Sequence, residues 1–239
     1  MSHFCIDVAD TIIEIETVHV LPFALSRQFL TKKAPDFKVI STQNDIDALK
    51  PIFQAENGLT VSWDGNIETM VVLRKVAEGL IDFGVFAMHG AVIAVDNNAY
   101  LFTADSGVGK TTHILKWLRN IPNSYVVNGD KPFIRINDIP YACGSPWAGK
   151  ENLYTNTKVP LKAIVIMERS FDNFINEISF VEAFPMLYKQ IYRPRNAEKM
   201  KRTLSLLKAV GQKVTIYKFG FNNYKNDCLE TAYSALIDS

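Results

Sequence analysis

Apolar and polar residues alternate from Phe4 to about Val20, where Ile13 and Ile15 are flanked by Glu14 and Glu16. A period of two puts one face of an extended chain on a core and the other in water, so the stretch predicts β-structure. "DFKVIS" (36–41) predicts another short strand, and 51–65 reads as mixed and turn-rich. Residues 1–65 are therefore expected to form a small β-rich N-terminal segment, with 66–239 as a separate, larger domain.

The period lengthens over 67–82, where Met70, Leu73, Ala77 and Leu80 fall at helical spacing with Val76 and Ile81 beside them. Two apolar runs follow, joined by Asp96-Asn97-Asn98, which is a hairpin signal. The second run leads straight into a glycine-rich loop, and 111–119 then reads as a helix. Strands are predicted at 124–128, 132–136 and 161–168, the last apolar throughout and so buried on both faces. A helix at 197–209 has Asn196 as N-cap, Gly211 past its end, and Met200, Thr203, Leu204 and Leu207 on one face. A strand at 213–219 and a helix near 227–237 complete a mixed α/β pattern.

Composition narrows the functional classes. The chain has 239 residues, 48% of them hydrophobic, enough for one large domain or one domain with a small appendage. A net charge of +1, with the cations spread along the chain, gives no electrostatic case for nucleic acid. Cys5, Cys143 and Cys228 lie far apart, which argues against a disulfide framework, and neither they nor the histidines have zinc spacing. The longest nearly apolar run, 85–95, falls short of the roughly 20 residues that span a bilayer, and Asp7 and Asp10 interrupt any leader pattern. The expectation is a cytoplasmic protein with no membrane partner.

The glycine-rich loop carries the chemistry. "ADSGVGKT" (104–111) meets the pattern G-x-x-x-x-G-K-[ST] at every fixed position but the first, where Ala104 stands. Gly107 and Gly109 would let the N–H groups along Ser106, Gly107, Val108, Gly109 and Thr112 turn toward phosphate oxygens. Lys110 would reach the β and γ phosphates, and Thr111 would offer its hydroxyl to Mg²⁺. The helix that follows points its positive end at the anion. Alanine at the first position fails only if the backbone there needs a positive φ.

The order "MHGAVIAV…AYLFTADSGVGKTT…VVNGDKP" resembles the C-terminal catalytic domain of HPr kinase/phosphorylase, whose fold is related to ATP-dependent phosphoenolpyruvate carboxykinase. It is more similar still to stand-alone HPr kinase-like proteins, some of which phosphorylate peptides. "GSPWAGKE" (144–151), "VPLKAIVIME" (159–168) and "QIYRPRN" (190–196) extend the resemblance over roughly 67–237. It implies a P-loop kinase domain with a mixed sheet, using ATP and Mg²⁺ to phosphorylate serine or a similar hydroxyl. On this resemblance Lys110 and Thr111 match the phosphate loop, His89 the histidine beside the reaction centre, and Asp130 the second of two consecutive aspartates. Gly129 replaces the first of that pair, so Asp130 would share metal binding and proton acceptance with His89 or Glu151. Glu151 would then bind Mg²⁺, and Lys150 would neutralise transferring oxygens.

Each of these residues also has a plainer role. His89 is a satisfied histidine at a strand end, Asp130 a turn residue in "NGDK", and Lys150 and Glu151 a solvated loop pair. Arg193 and Arg195 flank Pro194, which could aim two guanidiniums at phosphate, or they are surface charges. His113 is expected exposed on its helix, with Trp117 and Trp147 as packing residues. The partners expected are a nucleotide and a peptide, protein or small-molecule hydroxyl acceptor, and a homo-oligomer is compatible with the sequence. Gly129 keeps open a nucleotide-binding regulatory module without catalysis; a carboxykinase-like enzyme acting on a small acid is the third reading.

Overall fold

The computed structural model describes residues 1–58, 63–222, 225 and 227–237. The chain divides into two compact units, Met1–Phe83 and Gly84–Ser239.

The N-terminal unit contains β1 (Ser2–Val8), β2 (Thr11–Thr17), α1 (Leu21–Leu25), β3 (Leu30–Thr31), β4 (Phe37–Ile40), α2 (Gln43–Asn57) and α3 (Asp64–Leu80). Its sheet runs β3-β1-β2-β4, and the alternation behind it is visible in Ile13 and Ile15, both fully buried on β2. The unit extends past residue 65 because α3 belongs to it: Ile67 and Val71 pack against Ile46 and Leu49 of α2. Glu68 is fully buried on α3, where its carboxylate accepts the N–H groups of Val18 and His19, each at 2.7 Å. Two charge-assisted bonds satisfy a group that would otherwise be costly to bury.

The second half of α2, from Pro51 on, lies where the sequence reads as turn-rich, although 59–62 lie outside the described residues. Pro51 sits inside it, and the helix survives on a capping box: Thr42 Oγ1 accepts from Asp45 N while the Asp45 carboxylate accepts from Thr42 N.

The larger unit contains β5 (Val85–Ala87), β6 (Ala91–Val95), β7 (Asn98–Thr103), α4 (Lys110–Asn120), β8 (Ser124–Asn128), β9 (Phe133–Ile136) and β10 (Pro140–Cys143). It continues with β11 (Lys158–Arg169), β12 (Phe174–Glu177), α5 (Phe180–Gln190), α6 (Ala197–Gly211), β13 (Thr215–Phe221) and α7 (Cys228–Leu236). The sheet order is β5-β9-β10-β11-β7-β6-β8, with β13 also on β11 and β12 on β13. Strand β11 is parallel to both β7 and β13, whereas β6–β7 and β6–β8 are antiparallel, so the α/β sheet is mixed.

The β6–β7 hairpin turns on Asp96 and Asn97, with φ of 46° and 62°. Two consecutive positive φ values fit the twist of paired strands, and Asp and Asn tolerate them. The turn delivers β7 to the glycine-rich loop. Helix α5 is absent from the sequence reading because Pro185 interrupts its apolar pattern, yet Ser179 and Glu182 close a capping box at its start.

His113 is fully buried rather than exposed, on the face of α4 that meets Phe102, Phe219 and Phe221. Trp117 Nε1 donates to His113 Nε2 at 2.9 Å, so the ring proton sits on Nδ1, facing Cys228 Sγ at 3.8 Å. Burial, with the Lys116 charge adding to it, pushes the imidazole down to about 3. The unfolded chain therefore takes up a proton near the ordinary 6.5 that the folded chain refuses. Stability from this site is complete above pH 6.5 and should fall by up to about 4–5 kcal/mol as the pH drops to 3. Urea unfolding followed against pH should show that loss, and His113→Leu should flatten it; equal slopes for the two chains would refute the assignment. No helix among the described residues is long and apolar enough to cross a membrane.

Candidate active site at the glycine loop

The loop 104–109 joins β7 to α4, and both of its glycines have positive φ, 77° at Gly107 and 127° at Gly109. Open space surrounds a hypothetical Cβ on Gly107, so glycine serves the backbone angle there and not a close approach. Ala104 is not among the residues with positive φ, and its methyl is buried against the core around Phe102 and Ile114. The first position of the motif therefore accepts alanine without strain.

Lys110, the first residue of α4, is 8% exposed. Its ammonium folds back over the loop, donating to the carbonyls of Ala104 at 2.8 Å and Asp105 at 3.2 Å. Burial lowers its pKa, against the pull of the Asp130 and Asp105 carboxylates, and Lys131 adds to the lowering. Arg169, at the end of β11, donates to Gly107 O at 2.9 Å and ties the loop to the parallel neighbour of β7. Thr111 is half-buried and Ser106 and Thr112 are exposed. A cavity of about 360 Å³ adjoins the loop, with Val108, Ile166, Met167 and Met186 in its lining beside Asp105 and Gln190.

His89 lies between β5 and β6. Its N–H donates to Gln190 O at 2.6 Å, and its carbonyl accepts from the buried Thr103 hydroxyl at 2.7 Å. Ring atom Nδ1 faces Gln190 Oε1 at 2.9 Å, and Nε2 faces Asp130 Oδ1 at 3.3 Å. The antiparallel pairing of β6 with β8 brings Asp130 here, and Gly90 N donates to its carbonyl at 2.9 Å. Burial alone would raise the Asp130 carboxyl; the His89 hydrogen bond and the Lys131 charge outweigh it and hold the pKa below its usual value.

The "NGDK" turn has a division of labour that the sequence reading did not contain. Asn128 is fully buried, and its Oδ1 accepts from Asp130 N at 2.9 Å and Lys131 N at 2.7 Å. Its Nδ2 donates to Ser145 O and Oγ, both at 3.0 Å, anchoring the turn to the segment before Trp147. Gly129 fills a crowded position, where an added Cβ would lie 3.1 Å from Ala148 O and 3.3 Å from Leu153 O. Lys131 turns back and places its ammonium 3.1 Å from each Asp130 carboxylate oxygen.

The structure thus gathers His89, Asp130 and Lys131 into contact, and the charges of Asp130 and Lys131 reach Lys110. It does not gather the rest of the expected set. Lys150 and Glu151 are exposed and make no hydrogen bond or ion pair among the described residues, although Gly149 before them packs against Asp130. Arg193 lies over the Tyr188 ring at 5.7 Å, and Arg195 is exposed with no such partner among the described residues. Trp117 and Trp147 are buried packing residues, the latter edge-on to Phe133.

No protein-family profile matches this chain, and no curated protein does. Among solved structures, the Hpr(Ser) kinase/phosphatase from Coxiella burnetii aligns over 64% of this chain and 88% of its own, at 10% identity and a TM-score of 0.39. The likeness is distant. The functional reading rests on the geometry of the glycine loop and the residues facing it.

Three residues in this geometry escaped the sequence reading. Gln190 begins a motif noted there only for resemblance, Lys131 follows Asp130, and Arg169 ends a strand. The signal for Lys131 was available, since a cation beside an acidic turn residue marks an ion pair. Nothing local marks Gln190 or Arg169.

Proposed function

We propose that this chain is an ATP- and Mg²⁺-dependent kinase that transfers the γ-phosphate to a hydroxyl, serine being the natural candidate, of a peptide, protein or small molecule. The observation that carries the reading is the convergence of a positive-φ glycine loop, a buried lysine at the following helix start, and a paired His89–Asp130 opposite. The N–H groups from Ser106 to Thr112 bind phosphate oxygens, and Lys110 trades its loop carbonyls for the β and γ oxygens.

The donor set fits magnesium. Mg²⁺ keeps several waters and needs only one or two carboxylates beside the phosphates, so Asp130 with the Thr111 hydroxyl suffices. No cluster of three acidic or imidazole ligands surrounds Asp130 among the described residues, which would suit other metals better. Glu151 is free to approach from its exposed loop. The ion supplies charge neutralisation on the phosphates when bound. The acceptor's proton has a receiver in the Asp130 carboxylate, which His89 Nε2 faces and orients at 3.3 Å. Lys131 holds Asp130 in the resting chain and joins Lys110 in neutralising charge once nucleotide and metal arrive. Lys150, Arg193 and Arg195 stand as cations that could close on the phosphates or an acidic acceptor.

One observation favours a second reading, a nucleotide-binding module without catalysis: Lys131 already neutralises Asp130, and Gly129 supplies no second carboxylate. Incubation with γ-labelled ATP, Mg²⁺ and a panel of serine-containing peptides and free serine separates the two. Label on an acceptor is the expected result. Tight ATP binding with neither acceptor labelling nor hydrolysis would install the binding module instead.

A further inference from the structure

We propose that Gln190 is a positioning residue that couples the glycine loop to the His89–Asp130 pair, so that loop conformation and ring orientation are set together. It rests on the kinase reading for its catalytic consequence, but its geometry stands apart from that reading.

Gln190 is the last residue of α5 and is 8% exposed. Both atoms of its amide are committed across 85 and 101 residues of sequence: Nε2 to Asp105 Oδ1 and Oε1 to His89 Nδ1, each at 2.9 Å. The direction of the amide follows from its neighbours. Asp105 offers only acceptors when ionised, so the NH₂ group faces it and the carbonyl oxygen faces the imidazole. Nδ1 must then carry a proton, and Nε2 is the atom presented to Asp130. The backbone carbonyl of Gln190 also accepts His89 N at 2.6 Å, so one residue grips the histidine at both main chain and ring. Asp105 in turn lies inside the loop, one residue after Ala104, whose carbonyl receives Lys110. The chain Asp105–Gln190–His89–Asp130 therefore runs without a break from the phosphate cradle to the Asp130 carboxylate.

The requirement is two-sided: position 190 must donate to 105 and accept from 89. Gln190→Glu keeps the acceptor but sets two carboxylates face to face. In an Asp105→Asn background the polarity is swapped, because the amide introduced in the loop can donate to the carboxylate introduced on α5. The expected result is that Gln190→Glu lowers kcat at least about tenfold in the wild-type background and by less than about threefold in the Asp105→Asn background, with KM for ATP little changed. An equal loss in both backgrounds, or no loss in either, would overturn the coupling.

The ring supplies a readout that needs no turnover. A hydrogen-bonded His89 Nδ1–H resonance in a ¹H–¹⁵N spectrum should be present in the wild type, lost in Gln190→Leu and present in the swapped double variant. Its persistence in a folded Gln190→Leu chain would refute the positioning role. If the wild type labels no acceptor, the kinase reading fails while this spectrum still decides the role of Gln190.

Discussion

Lys110→Ala should abolish ATP-dependent phosphoryl transfer, with kcat down by roughly 10²–10³-fold or more, and leave the chain folded. The lysine is nearly buried, and its ammonium lies over the loop where the β and γ phosphates would sit. Its loss removes two hydrogen bonds to loop carbonyls, each worth about 1 kcal/mol, but also removes the cost of burying a cation. The melting temperature should therefore move little. Lys110→Arg should fail too, because a planar guanidinium does not fit a slot shaped around a compact ammonium. Labelled-ATP assays and thermal unfolding on the same preparations check both halves. Transfer at wild-type rate in the alanine variant would dismiss the loop as the phosphate site.

Asp130→Asn should separate binding from chemistry. The change is isosteric and removes a carboxylate that contacts both His89 and Lys131. Single-turnover transfer should slow by about 10²–10⁴-fold, the range for a lost acid–base group. Binding of metal-free ATP should be no weaker, since a negative charge facing the phosphates has gone. Lys110→Ala should instead weaken it, so calorimetry on the two variants must distinguish them. Should Asp130→Asn turn over normally, proton acceptance and metal binding lie elsewhere. The depressed Asp130 pKa fixes the acid limb: the His89 hydrogen bond and the Lys131 ion pair contribute above the ordinary carboxylate value of 3.8 and are lost as the pH falls through the lower folded value.

The sequence was legible where a local period or a fixed spacing carries the information. The alternation around Ile13 and Ile15, the Asp96-Asn97 hairpin and the glycine loop follow from neighbours within a few residues. Helices α2 and α5 were not legible because Pro51 and Pro185 interrupt them, and only their capping boxes, Thr42 with Asp45 and Ser179 with Glu182, mark where they begin. His113 misleads in a different way. A histidine on a helix start reads as polar, and only the fold supplies the Trp117 donor and Cys228 acceptor that allow it inside. The link from Asp105 through Gln190 to His89 is legible in no window at all, since its members are brought together by the sheet. Asn128 carries no local signal, yet its side chain organises the turn that holds Asp130.

Gly129 also constrains how this chain can change. A side chain there presses on Ala148 O and Leu153 O, both main-chain atoms that cannot rotate away. An aspartate placed at 129 alone therefore needs those carbonyls to give by a few tenths of an ångström before it can supply a ligand. A paired-aspartate site here depends on the main chain at 148 and 153 moving with the substitution, and not on position 129 alone.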